Sequence, residues 1–508
     1  MDVKLNAIAN YAGQLYSLLI SVIALPLFLK IMGASAYGLV GFYTLVFAWL
    51  VIFDLGMTPA LSREVARLKS RPPNEVALKS TVLAFEKLFW ATSLLAGAGL
   101  FFTSDWLATN WLVIDNLDVE RVIFSLELTA IAVALRWQAS IYRSVINGFE
   151  AQVWLNGADF FINSLRFPVL LLLMWFFPER YELFFAHQAM VSLLEIIVLR
   201  RKQSALITSA LEAPGFDWRL LRPLLPFAFS AAYASLLGVV IVQFDKLILS
   251  TILPLAEYGY FSLVGVAAGG VLTLSGPISK AVLPRLTALY AEDRVEEMVS
   301  LYKLATFWMV ITLAPLVLVL VMFPFETIFA WSGDSVAAYW VAPILPAFVG
   351  VAGLTAVTVF QYFLQYAAGD LSLNVRLNSL LVVLMVPLIT YAASQHGVKG
   401  VAIVAVVLRV LVFLFWVPFV HSRMIPTHHS SWLLGSVIKP MIVPALAVTA
   451  VSFAVVYTEF STQASRGSAT MVVLISLTVG YGFTGLWLWT SGNLRKLNSG
   501  FVKGDVAA

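Results

Sequence analysis

Runs of about 20 mostly apolar residues, separated by short polar segments, recur along the whole chain. Fourteen are discernible, at 6–29, 37–58, 81–103, 121–143, 153–177, 181–199, 224–252, 257–280, 304–325, 339–366, 373–393, 400–420, 440–458 and 468–490. Each is long enough to cross a hydrocarbon layer as a helix. Together they occupy roughly 300 of the 508 positions. The loops left over reach only about 20 residues, so no extramembrane domain fits.

The polar positions inside these runs are not scattered. In the first span Asn6, Asn10, Gln14, Ser17 and Ser21 share one face at the helical period. In the fifth, Gln152, Asn156, Asp159, Asn163 and Arg166 follow at spacings of 4, 3, 4 and 3. The fourth carries Arg136, Ser140, Arg143 and Asn147 in the same manner. A polar group facing lipid costs several kcal/mol unless it finds a partner. These stripes therefore face one another or water. Hydrogen bonding between helices is the simpler reading for the asparagines and serines.

Composition explains what surrounds the spans. The chain is 60% hydrophobic and 12% charged, against about 25% charged in soluble domains. The mean hydropathy is +0.90. Too few charges remain to coat a soluble fold, so the class is an all-α polytopic membrane protein. With the N-terminus inside, the cytoplasmic segments hold 22 of the 32 basic residues, and the segments 61–80, 200–222 and 280–303 carry most of those. By the excess of Lys and Arg on the cytoplasmic side, both termini are expected in the cytoplasm. The opposite face has Lys30, Arg180, Lys399 and Arg466, together with Asp105, Asp115, Asp118 and Glu120. The first thirty residues carry Asp2, Asn6, Asn10 and Gln14, and are expected to be a retained helix rather than a cleaved leader.

Six cations fall inside spans: Lys87, Arg121, Arg136, Arg166, Lys246 and Arg409. Lys87 and Arg121 lie near span ends and can snorkel. A deeper one costs about 2.5–3.5 kcal/mol on insertion scales. Acids occur at depth too, at Asp54, Glu86, Glu127, Asp159, Glu195 and Asp245. Either each cation is neutralised in a buried pair, or the cations line a water-filled cavity that receives an anionic substrate. Asp159 and Arg166 share a face two turns apart. Prolines within or near spans, among them Pro26, Pro168, Pro277, Pro315 and Pro387, predict kinks.

Several chemistries are absent. There is no cysteine, hence no disulfide, thiolate metal site or thiol nucleophile. The five histidines do not pair at helical spacing inside an apolar run, so no metal site is expected, and His428-His429 is expected in a solvated loop. No phosphate-binding glycine loop, serine nucleophile elbow or His-Glu-x-x-His motif occurs. A net charge of +4 gives no reason to expect nucleic acid. The expectation is a transporter, not an enzyme, with no cofactor beyond coupling to H+ or Na+.

A repeat divides the chain. Ala36-Tyr37-Gly38 and Glu257-Tyr258-Gly259 open the second and eighth spans, 221 positions apart, and Gly148 and Gly369 keep that offset. Two six-helix copies of the same orientation are implied, related about an axis along the membrane normal. The expected domains are 1–200, a basic linker at 201–222, a second bundle at 223–421, and two further helices with a tail at 422–508.

The opening run NYAGQLYSLLISVIALPLFLKIMGASAYGLVGFYTL and the following FDLGMTPALSREVARL resemble polysaccharide-biosynthesis membrane proteins, including O-antigen and capsule repeat-unit flippases. Asn10, Pro26, Gly33, Tyr37-Gly38, Asp54-Leu55-Gly56 and Arg63 carry the likeness, with Asp245-Lys246, Tyr258-Gly259 and Pro284 in the second half. The order Tyr-Gly-Tyr around Gly259 departs from the pattern. The resemblance covers roughly 1–420 and implies the multidrug/oligosaccharidyl-lipid/polysaccharide exporter superfamily, with two bundles around a central cavity. It further implies an undecaprenyl-diphosphate-linked glycan as the substrate, carried across the bilayer of a bacterial inner membrane. A polysaccharide polymerase and a chain-length regulator are then the expected protein partners. On that footing Arg136, Arg166, Lys246 and Arg409 are candidates for diphosphate and sugar contacts. Asn6, Asn10, Gln14, Asn156 and Asn163 would line the polar path, and Asp54, Glu127 and Asp159 are candidates for ion coupling. The rivals are a drug/cation antiporter of the same superfamily, a peptidoglycan lipid-precursor flippase, and a membrane scaffold without transport.

Overall fold

The computed structural model describes residues 3–50, 52, 54, 56–70, 75–207, 222, 225–458 and 465–491. Within the first helix the side chains of Asn6, Asn10, Gln14, Ser17 and Ser21 lie outside the described residues. The elements are helices throughout: α1 Val3–Met32, α2 Ala34–Leu50, α3 Met57–Lys69, α4 Glu75–Phe102, α5 Val119–Gly148, α6 Gln152–Phe176, α7 Glu182–Leu206, α8 Leu225–Leu249, α9 Leu255–Ala291, α10 Val295–Met322, α11 Pro324–Ser332, α12 Leu345–Ala367, α13 Ser372–Met424, α14 His429–Tyr457 and α15 Arg466–Thr490. In hydrocarbon a helix satisfies every backbone group within its own segment, which is why apolar runs of this length take that form.

Among the described residues eleven helices are long and apolar enough to cross a membrane, and two shorter apolar helices stand at Val22–Met32 and Ala34–Leu50. The expected spans 373–393 and 400–420 fall in one element, α13. It breaks internally at Gly397 (φ 56°, ψ −142°), a conformation open to glycine and disfavoured for other residues. Gly33, at φ 82°, separates α1 from α2 in the same way. The chain divides into two compact units, 1–262 with 378–397, and 263–377 with 398–508.

In the first unit α5 is the central helix. It packs against α3, α4 and α7, and α6 packs against α1. Val82, Phe85, Phe89, Trp137, Ile141, Tyr142, Val145 and Leu199 form the buried core. Asp118 starts α5 by accepting the Glu120 backbone N–H at 3.0 Å, an N-cap that satisfies one of the helix's open donors. Helices α2 and α9 cross at contact distance. A Cβ on Gly259 would lie 2.6 Å from the Ala34 carbonyl oxygen and 3.0 Å from the Gly38 nitrogen, and one on Gly38 would overlap the Leu255 carbonyl. The segment between α4 and α5 ties down this crossing. Leu255 N donates to Val113 O at 3.0 Å, Ala256 N and Ser35 Oγ both donate to the Asp115 carboxylate, and Trp111 Nε1 donates to Ser250 Oγ.

In the second unit α10 packs against α12, α14 and α15, with Val319, Phe323, Val448 and Val472 at one buried contact. Arg466 at the start of α15 donates to the Ala330 and Trp331 carbonyls at the end of α11, where a cation complements open helix carbonyls. Of the expected solvated loop at His428-His429, His428 does lie in the loop, half-buried with its Nδ1 3.1 Å from Lys303 Nζ, but His429 does not. His429 opens α14 half-buried, and its Nδ1 lies 2.8 Å from Nδ1 of the fully buried His421. His421 Nε2 in turn meets the Tyr302 hydroxyl at 2.7 Å, and Trp432 Nε1 donates to Thr306 Oγ1. An aromatic setting partners His421 and His429, which polarity in sequence alone did not reveal.

Candidate functional site

Helices α5, α6 and α7 bring their polar stripes together in the first unit. Arg143 on α5 lies between two acids. Its Nη1 is 2.6 Å from Asp159 Oδ1 on α6. Its Nη2 and Nε donate to Glu195 Oε1 on α7 at 2.6 and 3.0 Å. The second oxygen of Glu195 accepts from Arg166 Nη2 on α6. Glu195 thus bridges two guanidiniums with its two oxygens. Both hydrogen bonding and charge favour this arrangement, since charge-assisted bonds are about twice as strong as neutral ones.

Local backbone geometry helps place Arg166. Residues Leu165–Val169 form a wider, π-type turn within α6, with Pro168 inside it. Proline lacks a backbone N–H, and such turns form where the regular ladder is interrupted. Arg166 is left buried, its Nε without a hydrogen-bond partner.

The cluster is graded in exposure. The side chains of Arg166 and Glu195 are 7% and 5% exposed, while those of Arg143 and Asp159 are 28% and 31% exposed. A third guanidinium, Arg136, sits 4.3 Å from the Phe47 ring centroid and is close enough to act electrostatically on Arg166 and Glu195. It forms no ion pair among the described residues. Two guanidiniums therefore hold both carboxylates, and a third stands nearby without one.

The other expected site residues are more dispersed. Lys246 donates from Nζ to Gln243 Oε1 at 2.8 Å. Arg409 lies in the second unit, with a buried Nε that has no hydrogen-bond partner, and it forms no ion pair among the described residues. Asn156 donates to the Gln152 carbonyl at 2.9 Å. It faces α1, where a Cβ on Gly13 would come within 3.0 Å of its Oδ1. Asn163 and Glu127 are half-buried. Asp54 accepts from the Thr58 backbone N–H and hydroxyl ahead of α3, as a helix cap does. Arg121 pairs with Glu182 at 2.6 Å and lies over the Tyr181 ring. Burial pushes the Tyr181 hydroxyl up to about 12, so that ring stays neutral beneath the cation.

Asp159 and Arg166, which share a face of α6 two turns apart, pair across helices, Asp159 with Arg143 on α5 and Arg166 with Glu195 on α7. Glu195 is the hub that the reading of the sequence did not single out. The signal was present in Gln188, Ser192 and Glu195, spaced 4 and 3 on one face of α7, and Ser192 does accept weakly from Arg166 at 3.5 Å.

Residues 3–290 match the family model described as polysaccharide biosynthesis protein. The chain belongs to that family. A Shigella flexneri protein named "Putative O-antigen transporter" is 20% identical over 289 residues, 56% of this chain and 67% of that one. Among solved structures, the lipid II flippase MurJ in an inward closed conformation matches with a TM-score of 0.72 at 14% identity, over 96% of this chain and 99% of that one. The MATE multidrug transporter DinF-BH gives 0.54 at 14% identity, over 84% and 97%. A Pyrococcus furiosus transporter of the MOP superfamily gives 0.53 at 12% identity, over 82% and 96%. The fold is thus that of a MOP-type membrane transporter. A member of the polysaccharide biosynthesis family with this fold is a multi-pass membrane protein.

Proposed function

We propose that the chain is a flippase that moves an undecaprenyl-diphosphate-linked oligosaccharide, of O-antigen or capsule type, from the cytoplasmic to the outer leaflet of a bacterial inner membrane by alternating access. It is not an enzyme on this reading. The observation that carries it is the local excess of guanidiniums over carboxylates where α5, α6 and α7 meet. Arg143 and Arg166 take up Glu195 and Asp159, Arg136 lies over the Phe47 ring, and neither Arg136 nor Arg409 forms an ion pair among the described residues. Uncompensated charge at depth is expensive, and an anionic cargo supplies the missing countercharge. A diphosphate suits guanidinium, whose planar fork donates paired hydrogen bonds.

Arg136, Arg166, Lys246 and Arg409 would contact diphosphate and sugar. The amides Asn156 and Asn163, with Asn6, Asn10 and Gln14, would line the path, while Asp54, Glu127 or Asp159 would couple transport to H+ or Na+. Both termini would be cytoplasmic, and a polymerase and a chain-length regulator would take up the product. The two repeats, 1–200 and 223–421, would be the moving halves.

Arg409 gives the cleanest test, because removing it breaks no ion pair. In cells whose surface polysaccharide depends on this chain, Arg409→Ala should abolish the polysaccharide and Arg409→Lys should retain part of it. Normal polysaccharide from normally expressed Arg409→Ala would remove that residue from the mechanism. Rescue of a strain lacking its O-antigen flippase, without rescue of one lacking its peptidoglycan-precursor flippase, separates this reading from its nearest rival.

A further inference from the structure

The ion-pair cluster of the first unit divides into a fixed part and an exchangeable part. Glu195 is the fixed part. Both its oxygens are engaged by guanidiniums, and its side chain is 5% exposed. Removing it would strand Arg166 and leave Arg143 with Asp159 alone. Asp159 is differently placed. It is 31% exposed, is held through Oδ1 by Arg143 Nη1 alone among the ion pairs of the described residues, and meets an arginine that is itself 28% exposed. This pair is the less buried of the two and opens without breaking the contacts that Arg143 makes to Glu195. An incoming anion can compete for the same Nη1 without disturbing the Nε and Nη2 contacts to Glu195. Arg136, which forms no ion pair among the described residues, lies in the same electrostatic neighbourhood.

We infer that Asp159 is a resident stand-in for the anionic group of the substrate: it neutralises Arg143 while the site is empty, is displaced from Arg143 Nη1 by the diphosphate, and re-forms the pair to expel it. Glu195 is the positioning residue that keeps Arg143 and Arg166 aimed throughout. The inference rests on the flippase reading and adds to it a named competitor for the cargo. It also accounts for a chain that puts an acid beside the arginines that would bind an acid. Without Asp159 the empty site would leave Arg143 Nη1 facing no acid, with Glu195 as the one carboxylate for Arg143 and Arg166, and with Glu195 alone nothing would drive release.

The consequence runs against the effect of an ordinary structural pair. Losing Asp159 should strengthen binding and slow turnover. The test uses the full chain in phosphatidylcholine nanodiscs, undecaprenyl diphosphate as the probe, and calorimetry. Asp159→Asn and Asp159→Ser are compared with the wild type, each checked for a cooperative thermal transition, so that either variant can report if the other does not fold. Binding about fivefold tighter, with less surface polysaccharide in cells, is the expected result. Equal or weaker binding by a folded variant, with the wild type binding normally, overturns the stand-in and leaves the flippase reading intact. If folded wild type and variants all fail to bind the probe, the flippase reading falls and takes this inference with it.

Discussion

Glu195 is one carboxylate with two guanidiniums on it, and its replacement should show how a buried charge network responds to the loss of its hub. Breaking a buried pair from one side typically destabilises by about 3–5 kcal/mol, because the other charge is left uncompensated. Glu195→Ala leaves Arg143 with Asp159 and leaves Arg166 with no acid within ion-pair range. The variant should therefore lose stability on that scale, and adding Arg166→Met should restore a large part of it. Thermal unfolding of the two single variants and the double variant in detergent measures the coupling. Additive losses would mean that the two side chains act independently. At this scale the sequence was half legible. Arg166, Asp159 and Arg143 stand on stripes that any helical projection reveals. Their partners do not, because pairing depends on how three helices are rotated about their own axes. The spacing of 4 and 3 on α7 names a face, not the neighbour it meets.

Helix α2 meets α9 where the two copies of a short motif coincide, since Gly38 and Gly259 are 221 positions apart in sequence and in contact in the fold. Reading the repeat located both glycines, and nothing in it said that they touch. The contact demands glycine because each backbone occupies the place where the other's Cβ would be. The second repeat pair behaves differently. Gly148 ends α5 against Val65 and Ser62, whereas Gly369 follows α12 in the left-handed region with nothing close to its Cβ position. One motif therefore marks packing in both halves, and the other marks packing once and a chain reversal once. The crossing can be trapped. An ideal Cβ on Gly41 would lie 3.3 Å from the Ser262 Cβ, near the 3.5–4.5 Å usual for a disulfide. The chain has no cysteine of its own. Gly41→Cys with Ser262→Cys should form a disulfide on mild oxidation, read as a mass loss of two hydrogens and a faster gel band that reductant reverses. Failure to cross-link would show that α2 and α9 do not rest at this separation in the membrane.

For the whole molecule, the hydropathy pattern alone was enough for class and for most helix positions, since lipid permits few alternatives to an apolar helix. It could not show that the break near 397 is a single glycine inside α13 rather than a loop, because one residue at positive φ leaves no trace in an average over many. The charge pattern adds a statement about direction. Arg67 and Lys69 at the end of α3 are exposed, as is Arg200 near the end of α7. The segment joining α4 to α5 carries Asp105, Asp115 and Asp118 and no basic residue, and Glu120 follows in the first turn of α5. Basic loops are retained on the cytoplasmic side during insertion, so these two sets should face opposite compartments. Fusing alkaline phosphatase after Asn116 should give periplasmic enzyme activity, whereas fusing it after Lys69 should give none. A green fluorescent protein joined to the C-terminus should fluoresce, which it does only when it folds in the cytoplasm. The reverse pattern would invert the chain in the membrane. It would put the Gly38–Gly259 crossing on the cytoplasmic side, and the direction proposed for the cargo would have to be reversed with it.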